Sequence, residues 1–315
     1  MEMAGHLMTN RLVIYCKPST VSRHRQNQDM NSTAADSRIG HYENFPVASV
    51  LCPAHLRAPI AAIYHFARTA DDIADEGTAT AEQRLSALAS YRQQLARVAT
   101  PGSTDPLDPR WAGVFAALGK AIASHGLPVP LLHDLLDAFV QDIEKTRDGA
   151  GYASEAELRD YCRRSANPVG RLLLHLYGVQ NPEALQQSDA ICTALQLINF
   201  WQDPSVDIPR GRFYFTEAAR AAHAVQQADL LALRQTPAAT RMLAQCVREA
   251  RATMAQGTPL VHAVPGRAGW ELRLVVQGGL RILDKIEALH FATLRQRPVL
   301  RAWDFCVMAW RAVWM

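Results

Sequence analysis

Apolar residues recur at helical spacing along the chain from about residue 41 onward, and the strict alternation typical of β-strands is rare. The clearest amphipathic helix is predicted over residues 131–147. Its core-facing side chains are Leu132, Leu135, Leu136, Phe139, Val140 and Ile143. Four further helices are predicted over residues 158–176, 184–200, 230–256 and 271–294. The pattern therefore predicts an all-α protein in which residues 41–315 form one helical domain.

Several segments interrupt this periodicity. Residues 1–40 are rich in Ser, Thr, Asn, Gln and Arg without lasting periodicity, which predicts a disordered tail. The Pro/Gly/Asp-rich residues 100–110 predict a loop between helices, and another loop is predicted near residues 208–212. Asn167-Pro168 predicts a break within the helical residues 158–176, because proline removes a backbone donor.

The C-terminal residues 303–314 are apolar with scattered charge. Two placements remain open for this segment: packing on the core, or peripheral contact with a membrane surface. Its modest amphipathicity favours packing on the core.

Composition excludes several classes of protein. The 315 residues are 49% hydrophobic, enough for a large core, and the net charge of +3 is dispersed along the chain. That weak basic balance gives no support to nucleic-acid binding. No run of about 18 apolar residues is free of charge, so no transmembrane helix is predicted. The six cysteines form no CxxC pair and do not cluster with histidines, which predicts isolated thiols in a reducing cytoplasm.

The first chemically informative stripe lies in a helix that carries the sequence DDIAD. Tyr64, Arg68, Asp71 and Asp75 follow one another at helical spacing and share one face. Two carboxylates on consecutive turns repel each other by roughly a few tenths of a kcal/mol, and a shared cation removes that cost. Mg²⁺ takes one or two carboxylates together with substrate phosphates, and arginine binds phosphate oxygens. A solvated acidic face is the alternative.

The same register recurs in QLINFWQD. Gln196, Asn199, Asp203 and Asp207 form one stripe of two amides and two carboxylates within an apolar run. Two such segments facing each other across a cavity can hold several Mg²⁺ ions and a diphosphate. Pro204 disfavours helical geometry at Asp203, so the position of Asp207 is left open.

These segments resemble the squalene/phytoene synthase family of head-to-head isoprenoid synthases, over most of residues 41–300. The motifs that carry the resemblance are Tyr64…Arg68…DDIAD, YCRRSANPVG at residues 161–170, and QLINFWQD…Asp207 followed by RGRFY at residues 210–214. Within the family, the chain is most similar to bacterial hydroxysqualene synthases of hopanoid and squalene biosynthesis. That similarity rests on HYENFPVAS at residues 41–49, SANP at residues 165–168, NFWQD, and QGGLRIL at residues 277–283.

The resemblance implies an all-α isoprenoid synthase fold around a central cavity, a Mg²⁺ cofactor, and a carbon–oxygen lyase reaction. Presqualene diphosphate would lose diphosphate, and water would take its place to give hydroxysqualene. By motif, the implied metal ligands are Asp71, Asp75, Asp203 and Asp207. The implied diphosphate contacts are Arg68, Gln196, Asn199 and Arg297. Tyr64 and Tyr161 are implied to line the site beside the leaving group.

The resemblance also implies functional coupling to a presqualene diphosphate synthase and to a flavin-dependent hydroxysqualene reductase, in the cytoplasm or at the inner membrane surface. Two other functions remain open. One is a transferase of the same family that makes presqualene diphosphate or phytoene, and the other is a non-catalytic assembly factor on the same fold. The latter is disfavoured because both acidic pairs are intact.

Ionisation of a carbon–oxygen bond requires stabilisation of the departing anion, which metal ions and arginines supply. The cation left behind requires a dry pocket, and cation–π contact is one way to stabilise it. The candidate aromatic residues are Phe45, Tyr64, Phe139, Tyr161, Phe200 and Trp201, with ordinary core packing as the alternative. Ser165 and Asn167, at the predicted helix break, are candidates to hold the attacking water, with a simple kink as the alternative.

Small residues in the helical stretches leave a further question open. Gly170, Gly278 and Gly279 lower helix stability, so a compensating role is expected. Either a tunnel for a hydrocarbon chain or close packing between helices would account for them.

Overall fold

The computed structural model describes residues 52–103 and 105–315, and all regular structure within these ranges is helical. The long helices are α1 (Ala54–Asp75), α2 (Ala81–Ala99), α3 (Ala112–His125), α4 (Val129–Asp148), α5 (Glu155–Ser165), α6 (Asn167–Leu176), α7 (Pro182–Gln202), α11 (Pro237–Gly257), α13 (Gly266–Ala288) and α14 (Ala302–Val313). The short ones are α8 (Pro204–Asp207), α9 (Glu217–Ala222), α10 (Gln227–Leu231) and α12 (Leu260–Ala263), and a 3-10 turn follows α8 at Ile208–Arg210. The all-α prediction is confirmed.

Most predicted element bounds agree with these helices. The predicted loop at residues 100–110 lies between α2 and α3, and the break at Asn167-Pro168 separates α5 from α6 at Ala166. Three predictions concern residues outside the described ranges. They are the tail over residues 1–40, the start of the domain at residue 41, and the role of Phe45.

Two predicted helices have the wrong extent. Residues 232–236 interrupt the helix predicted over residues 230–256, where Leu233 adopts a φ of 50° and Thr236 caps the new helix α11. The helix predicted over residues 271–294 begins earlier and ends at Ala288, because His290 and Phe291 take positive φ angles. Apolar spacing continues through both turns, so periodicity alone concealed them.

The core consists of two large clusters of buried side chains. One joins α1 to α4 around Phe66, Tyr91 and Phe115, and the other surrounds α7, which packs against α6, α11 and α13. Because α7 is covered on several sides, eleven of its 21 residues are buried, including the polar Gln196 and Gln202. The helix that carries the second acidic motif is therefore the central helix of its cluster.

Close helix packing accounts for two of the glycines. A Cβ at Gly279 of α13 would lie 2.9 Å from Leu195 Cδ2 and 3.2 Å from Ile198 Cδ1, both on α7. A Cβ at Gly170 of α6 would collide with Ser188 and Cys192 of α7. These glycines let the helices approach α7, whereas a Cβ at Gly278 would meet only the end of Met308 at 3.4 Å.

The last helix, α14, packs on α13 through a narrow face. Asp304, Met308 and Ala312 are buried there, and Asp304 accepts hydrogen bonds from Arg281 Nε at 2.7 Å and pairs with Lys285 Nζ at 2.8 Å. Burial alone raises the pKa of Asp304, but these cations and a backbone N–H hold it below its ordinary value. The prediction of core packing is correct for this face alone, since the remaining faces of α14 are exposed.

Candidate active site

The first acidic stripe lies at the C-terminal end of α1. Asp71 is buried, and Arg68 one turn earlier places its guanidinium 3.4 Å from Asp71 Oδ2 and 2.7 Å from Asp72 Oδ1. Arg68 also donates to Glu76 Oε1 at 2.9 Å. Burial lowers the pKa of Arg68, but the surrounding carboxylates outweigh it and raise that pKa above its ordinary value. Arg68 is therefore the centre of an ion network that contains Asp71, Asp72 and Glu76.

Asp203 and Asp207 lie at the junction between α7 and α8. Asp203 is the residue that separates the two helices, and Pro204 occupies the first position of α8, where a missing N–H costs nothing. The N–H of Asp207 still donates to the carbonyl of Asp203 at 2.9 Å. Despite Pro204, Asp207 therefore follows Asp203 by one helical turn, and both residues are buried.

Arg297 reaches this second pair from the far end of the chain. Its Nε lies 2.5 Å from Asp203 Oδ1 and its Nη2 lies 3.2 Å from Oδ2. Asn199 donates to the same Oδ2 at 3.3 Å, and Gln202 holds the loop by donating to Pro298 O at 2.8 Å. Burial raises the pKa of Asp203, and Arg297 opposes that shift. Arg297 is thus positioned by α7 itself.

Arg212 connects the two acidic segments. Its guanidinium forms a buried ion pair with Asp75 at the end of α1, while its backbone N–H donates to Asp207 O at 3.0 Å. Gly211, with a φ of 76°, turns the chain between Asp207 and Arg212. The ends of α1 and α8 are therefore joined through one residue. Arg212 belongs to the RGRFY motif, but nothing in the local sequence indicates this pairing with Asp75.

A largely apolar cavity of about 140 Å³ opens beside α7. Helices α6, α7, α12 and α13 supply its walls, with Leu173, Ile191 and Leu272 among the lining side chains. Gln196 and Asn199 line the same cavity, so it begins next to the second acidic segment. Glu271 also lines it, and burial raises the pKa of this carboxyl to about 7.

Gln196 also lines a second, much smaller cavity of about 10 Å³. Tyr161 and Ser165 line it, and both are buried. The Tyr161 hydroxyl donates to Asp142 Oδ2 at 2.8 Å. Asn167 instead accepts a hydrogen bond from Thr193 Oγ1 at 3.0 Å, which ties α6 to α7.

The aromatic candidates mostly pack in the core. Phe200 stacks on Tyr214 with ring centres 3.8 Å apart, and Trp201 stacks on Phe215 at 5.4 Å. Phe139 and Tyr161 line the small cavity, whereas the only aromatic residue among the described walls of the large one is Tyr177. Tyr64 is partly buried and packs against the Cys52, Leu56 and Ile60 cluster. Core packing is therefore the better account of Phe200 and Trp201.

Asp142 is a second site residue that sequence reasoning missed. It falls on the core face of α4, in register with Leu135 and Phe139, and a carboxylate on that face is itself an unusual signal. Within residues 52–103 and 105–315, no three acidic, cysteine or histidine side chains lie close enough to hold an ion by themselves. In the same ranges, no helix has the length and apolar content needed to span a bilayer.

The chain is similar to known proteins over most of its length. The squalene/phytoene synthase family matches residues 40–304. A hydroxysqualene synthase from Rhodopseudomonas palustris is 31% identical over 274 residues, covering 86% of this chain and 88% of its own. One from Zymomonas mobilis is 38% identical over 181 residues, which is 56% of each chain. Phytoene synthases also match, at lower identity over comparable lengths.

Solved structures share the fold. The crystal structure of squalene synthase HpnC from Alicyclobacillus acidocaldarius superposes with a TM-score of 0.71 at 36% identity, covering 80% of this chain and 90% of that one. The isoprenoid synthase fold expected from the motifs is therefore confirmed.

Proposed function

The chain belongs to the squalene/phytoene synthase family, and from that membership we propose that it is a hydroxysqualene synthase, a carbon–oxygen lyase that converts presqualene diphosphate and water into hydroxysqualene and diphosphate. One observation carries the proposal. Gln196 and Asn199 lie on the wall of an apolar cavity, and the same helix leads directly to the Asp203–Arg297 pair. A charged binding site for a diphosphate thus adjoins a binding site for a hydrocarbon.

The acidic residues fit magnesium by their chemistry. Asp71, Asp203 and Asp207 are each less than a tenth exposed, and buried carboxylates need nearby cations, of which Arg68 and Arg297 are two. Carboxylate oxygens are the ligands that Mg²⁺ prefers, usually one or two per ion together with substrate phosphates. Asp71, Asp75, Asp203 and Asp207 are the residues that would hold it. When bound, Mg²⁺ neutralises charge on the departing diphosphate.

The arginines are placed to bind the diphosphate itself. Arg68, Arg212 and Arg297 each contact one of the predicted metal-ligand aspartates, so each already lies at the charged end of the site. A guanidinium binds phosphate oxygens through two parallel N–H donors. We assign these three arginines to the leaving group, with the amides of Gln196 and Asn199 beside it. Preorganised cations of this kind stabilise a developing anion without reorganisation.

The apolar cavity excludes water from the reacting hydrocarbon. Its walls combine leucine, isoleucine and valine side chains from α6, α7 and α13. In such surroundings a cation cannot be trapped by bulk solvent, so the attacking water must come from a defined position. Ser165 remains the predicted holder of that water.

A transferase of the same family is the second candidate, because a phytoene synthase matches over most of the chain. Such an enzyme would join two prenyl diphosphates. It would use the same carboxylates, so the products formed from each substrate distinguish the two reactions. A non-catalytic role is disfavoured by the intact acidic pairs.

Incubation of the purified protein with presqualene diphosphate and Mg²⁺, followed by mass spectrometry, tests the proposal. Hydroxysqualene with one oxygen from H₂¹⁸O is the expected product. Parallel incubations with farnesyl and geranylgeranyl diphosphate test the transferase, which would give presqualene diphosphate or phytoene. Asp71→Asn is the control, expected to lower turnover on the order of 10²-fold with an unchanged circular dichroism spectrum. A product that forms only from the prenyl diphosphates would refute the lyase assignment.

The proposed substrate and product define neighbouring reactions. An enzyme that joins two prenyl diphosphates must supply the substrate, and a reductase that removes the allylic hydroxyl would consume the product. We therefore propose functional coupling to a presqualene diphosphate synthase and a flavin-dependent reductase.

A further inference from the structure

The small cavity beside Tyr161 has room for one water molecule. Its volume is about 10 Å³, near the minimum that a single water requires. Apolar side chains of α4 form one wall. The polar side chains that line it are Asp142, Tyr161, Ser165 and Gln196. A water in a protein interior is stable where two to four polar partners surround it, and this cavity supplies that number.

Ser165 provides the strongest sign of a bound molecule. Its side chain is only 6% exposed, and its hydroxyl makes no hydrogen bond to any described residue. Buried hydroxyl groups in proteins are normally hydrogen-bonded. Ser165 is the last residue of α5, where the chain breaks before α6, so its hydroxyl is held at the edge of the cavity by two helices. A water in the cavity would satisfy it.

Gln196 lines both this small cavity and the large apolar one. A water held by Ser165 would therefore lie next to the space assigned to the hydrocarbon. Asp142 lines the same small cavity, is 5% exposed, and is oriented by the hydrogen bond from Tyr161. The arrangement combines a polar group that holds a water with a carboxylate that can accept a proton.

We propose that Ser165 holds the water that captures the carbocation and that Asp142 accepts its proton. This inference rests on the proposed function. The water oxygen forms the new carbon–oxygen bond, one water proton moves to the Asp142 carboxylate, and the other remains in the product hydroxyl. Diphosphate has already departed with its bonding pair, so no oxidant or reductant is required. Asn167, engaged with Thr193, is a positioning residue for α6.

Product partitioning tests this assignment. With presqualene diphosphate, total diphosphate release and the fraction of product that carries oxygen are measured for the wild type, Ser165→Ala and Asp142→Asn. Loss of one hydrogen bond to the water should lower the oxygenated fraction roughly five- to tenfold in Ser165→Ala, in favour of hydrocarbons formed by proton loss. Asp142→Asn should lower it further, because general-base catalysis is lost. Diphosphate release should change little in either.

Thr293→Val is the matched control, because the Thr293 hydroxyl is also buried without a hydrogen bond to any described residue, yet Thr293 lines neither cavity. It should leave the oxygenated fraction unchanged. A high-resolution crystal structure should show one water within hydrogen-bonding distance of Ser165 Oγ. Unchanged partitioning in Ser165→Ala, or an empty cavity in the crystal, overturns the inference while the lyase assignment stands. If the wild type makes no hydroxysqualene, the proposed function itself is refuted.

A second inference concerns the surface formed by α13 and α14. Six large apolar side chains there are between 46% and 74% exposed. They are Trp270, Trp303, Phe305, Trp310, Val313 and Trp314. Trp303, Trp310 and Trp314 share one side of α14 by helical spacing, and together with Trp270 we call them the tryptophan face. Arg273 donates to Ala312 O at 3.2 Å, so Trp270 at the start of α13 lies beside the end of α14. Monomeric proteins rarely leave several tryptophans exposed on one surface.

Positive charge accompanies the tryptophan face. Residues 266–315 contain eight arginine or lysine residues and four acidic residues, a net charge of +4, whereas the whole chain has +3. Arg273 lies over the ring of Trp270 at 4.9 Å and Arg281 over that of Trp303 at 5.7 Å. Arg301, just before α14, and Arg311, near its end, are exposed, and Arg311 pairs with Asp284 at 2.7 Å. Tryptophan mixed with arginine suits the interface of a bilayer that contains anionic lipids.

The geometry points to an anionic phospholipid bilayer as the occupant of the tryptophan face. Tryptophan and arginine are also enriched at protein interfaces, so a second copy of the chain is the competing occupant; the excess of positive charge and the adjoining apolar cavity favour the bilayer. The start of α13 also supplies Ala268 and Glu271 to the apolar cavity, so the face lies beside the site assigned to the hydrocarbon. Docking there would let a water-insoluble substrate and product exchange with the membrane.

Sedimentation with vesicles tests this assignment. The full chain should bind vesicles of phosphatidylglycerol and phosphatidylcholine and bind pure phosphatidylcholine more weakly, and salt should weaken the former. Replacement of Trp310 and Trp314 by serine should lower the affinity roughly tenfold, because binding scales with the apolar area inserted. Leu231→Ser, at an exposed leucine on α10, is the control and should bind like the wild type.

Two results would overturn the assignment. One is equal binding to anionic vesicles by the wild type and the tryptophan variant. The other is a stable dimer, measured by sedimentation equilibrium, that dissociates when Trp310 and Trp314 are replaced, since the face would then belong to a protein interface. Neither result affects the proposed reaction.

Discussion

Glu271 makes the stability of this protein depend on pH in a direction that can be measured. Burial raises the pKa of this carboxyl to about 7 from an ordinary 4.5. Between these values the unfolded chain releases the proton while the folded chain retains it. The uncharged side chain therefore makes its full contribution to the free energy of unfolding below pH 4.5, and this contribution is lost as the pH rises to about 7. Glu271→Gln should remove the dependence.

The magnitude follows from that difference. A pKa of about 7 in the folded chain, against 4.5 in the unfolded chain, changes the free energy of unfolding by at most ~3.4 kcal/mol between pH values below 4.5 and above 7. Because Glu271 is only partly buried, solvent screening reduces this figure to about 1–2 kcal/mol. The neighbouring groups are Cys52 and Tyr177, and burial raises the pKa of each, so both stay neutral below pH 8.5.

Urea denaturation of the wild type and Glu271→Gln, followed by tryptophan fluorescence from pH 4.5 to 8.5, measures this effect. Relative to the wild type, the free energy of unfolding of the variant should rise by about 1–2 kcal/mol between pH 4.5 and pH 8.5, or by about 2–5 °C in Tm. Glu144→Gln, at an exposed position of α4, supplies the control for loss of a surface charge. A difference between wild type and Glu271→Gln that stays constant with pH would refute the burial argument.

Three further changes test the packing and the charge network. Gly257→Ala should lower the free energy of unfolding by about 1–3 kcal/mol in urea titrations, because its Cβ would lie 2.5 Å from the carbonyl oxygen of Gln187. Gly278→Ala should be neutral or should raise that free energy by up to about 1 kcal/mol. Equal effects of the two changes would contradict the close-packing account. Arg212→Gln should lower the free energy of unfolding by about 3–5 kcal/mol, measured as a lower Tm, because it leaves Asp75 buried without its arginine. An unchanged Tm would show that the Arg212–Asp75 ion pair does not stabilise the fold. Tyr161→Phe should cost about 1 kcal/mol in the same titrations through loss of the hydrogen bond to Asp142, and no loss would mean that the bond is weak.

Much of the fold followed from local patterns. Apolar spacing predicted α4 and α7 within two residues at each end, and Asn167-Pro168 marked the boundary between α5 and α6. The two acidic stripes were also recognisable, since side chains at helical spacing share a face wherever the helix is placed. Turns with continued apolar spacing, such as that before Thr236, escaped detection because local periodicity does not report backbone angles.

Residue types and spacing along the chain determined which side chains share a helix face, and therefore the candidate metal and diphosphate residues. Only the tertiary structure decided their partners. Arg212 meets Asp75 across 137 positions of sequence and Arg297 meets Asp203 across 94, because packing around α7 brings these segments together. The water-sized cavity has the same origin, since α4 and α7 each supply one of its polar side chains and α5 supplies two, and no local pattern encodes the space between three helices.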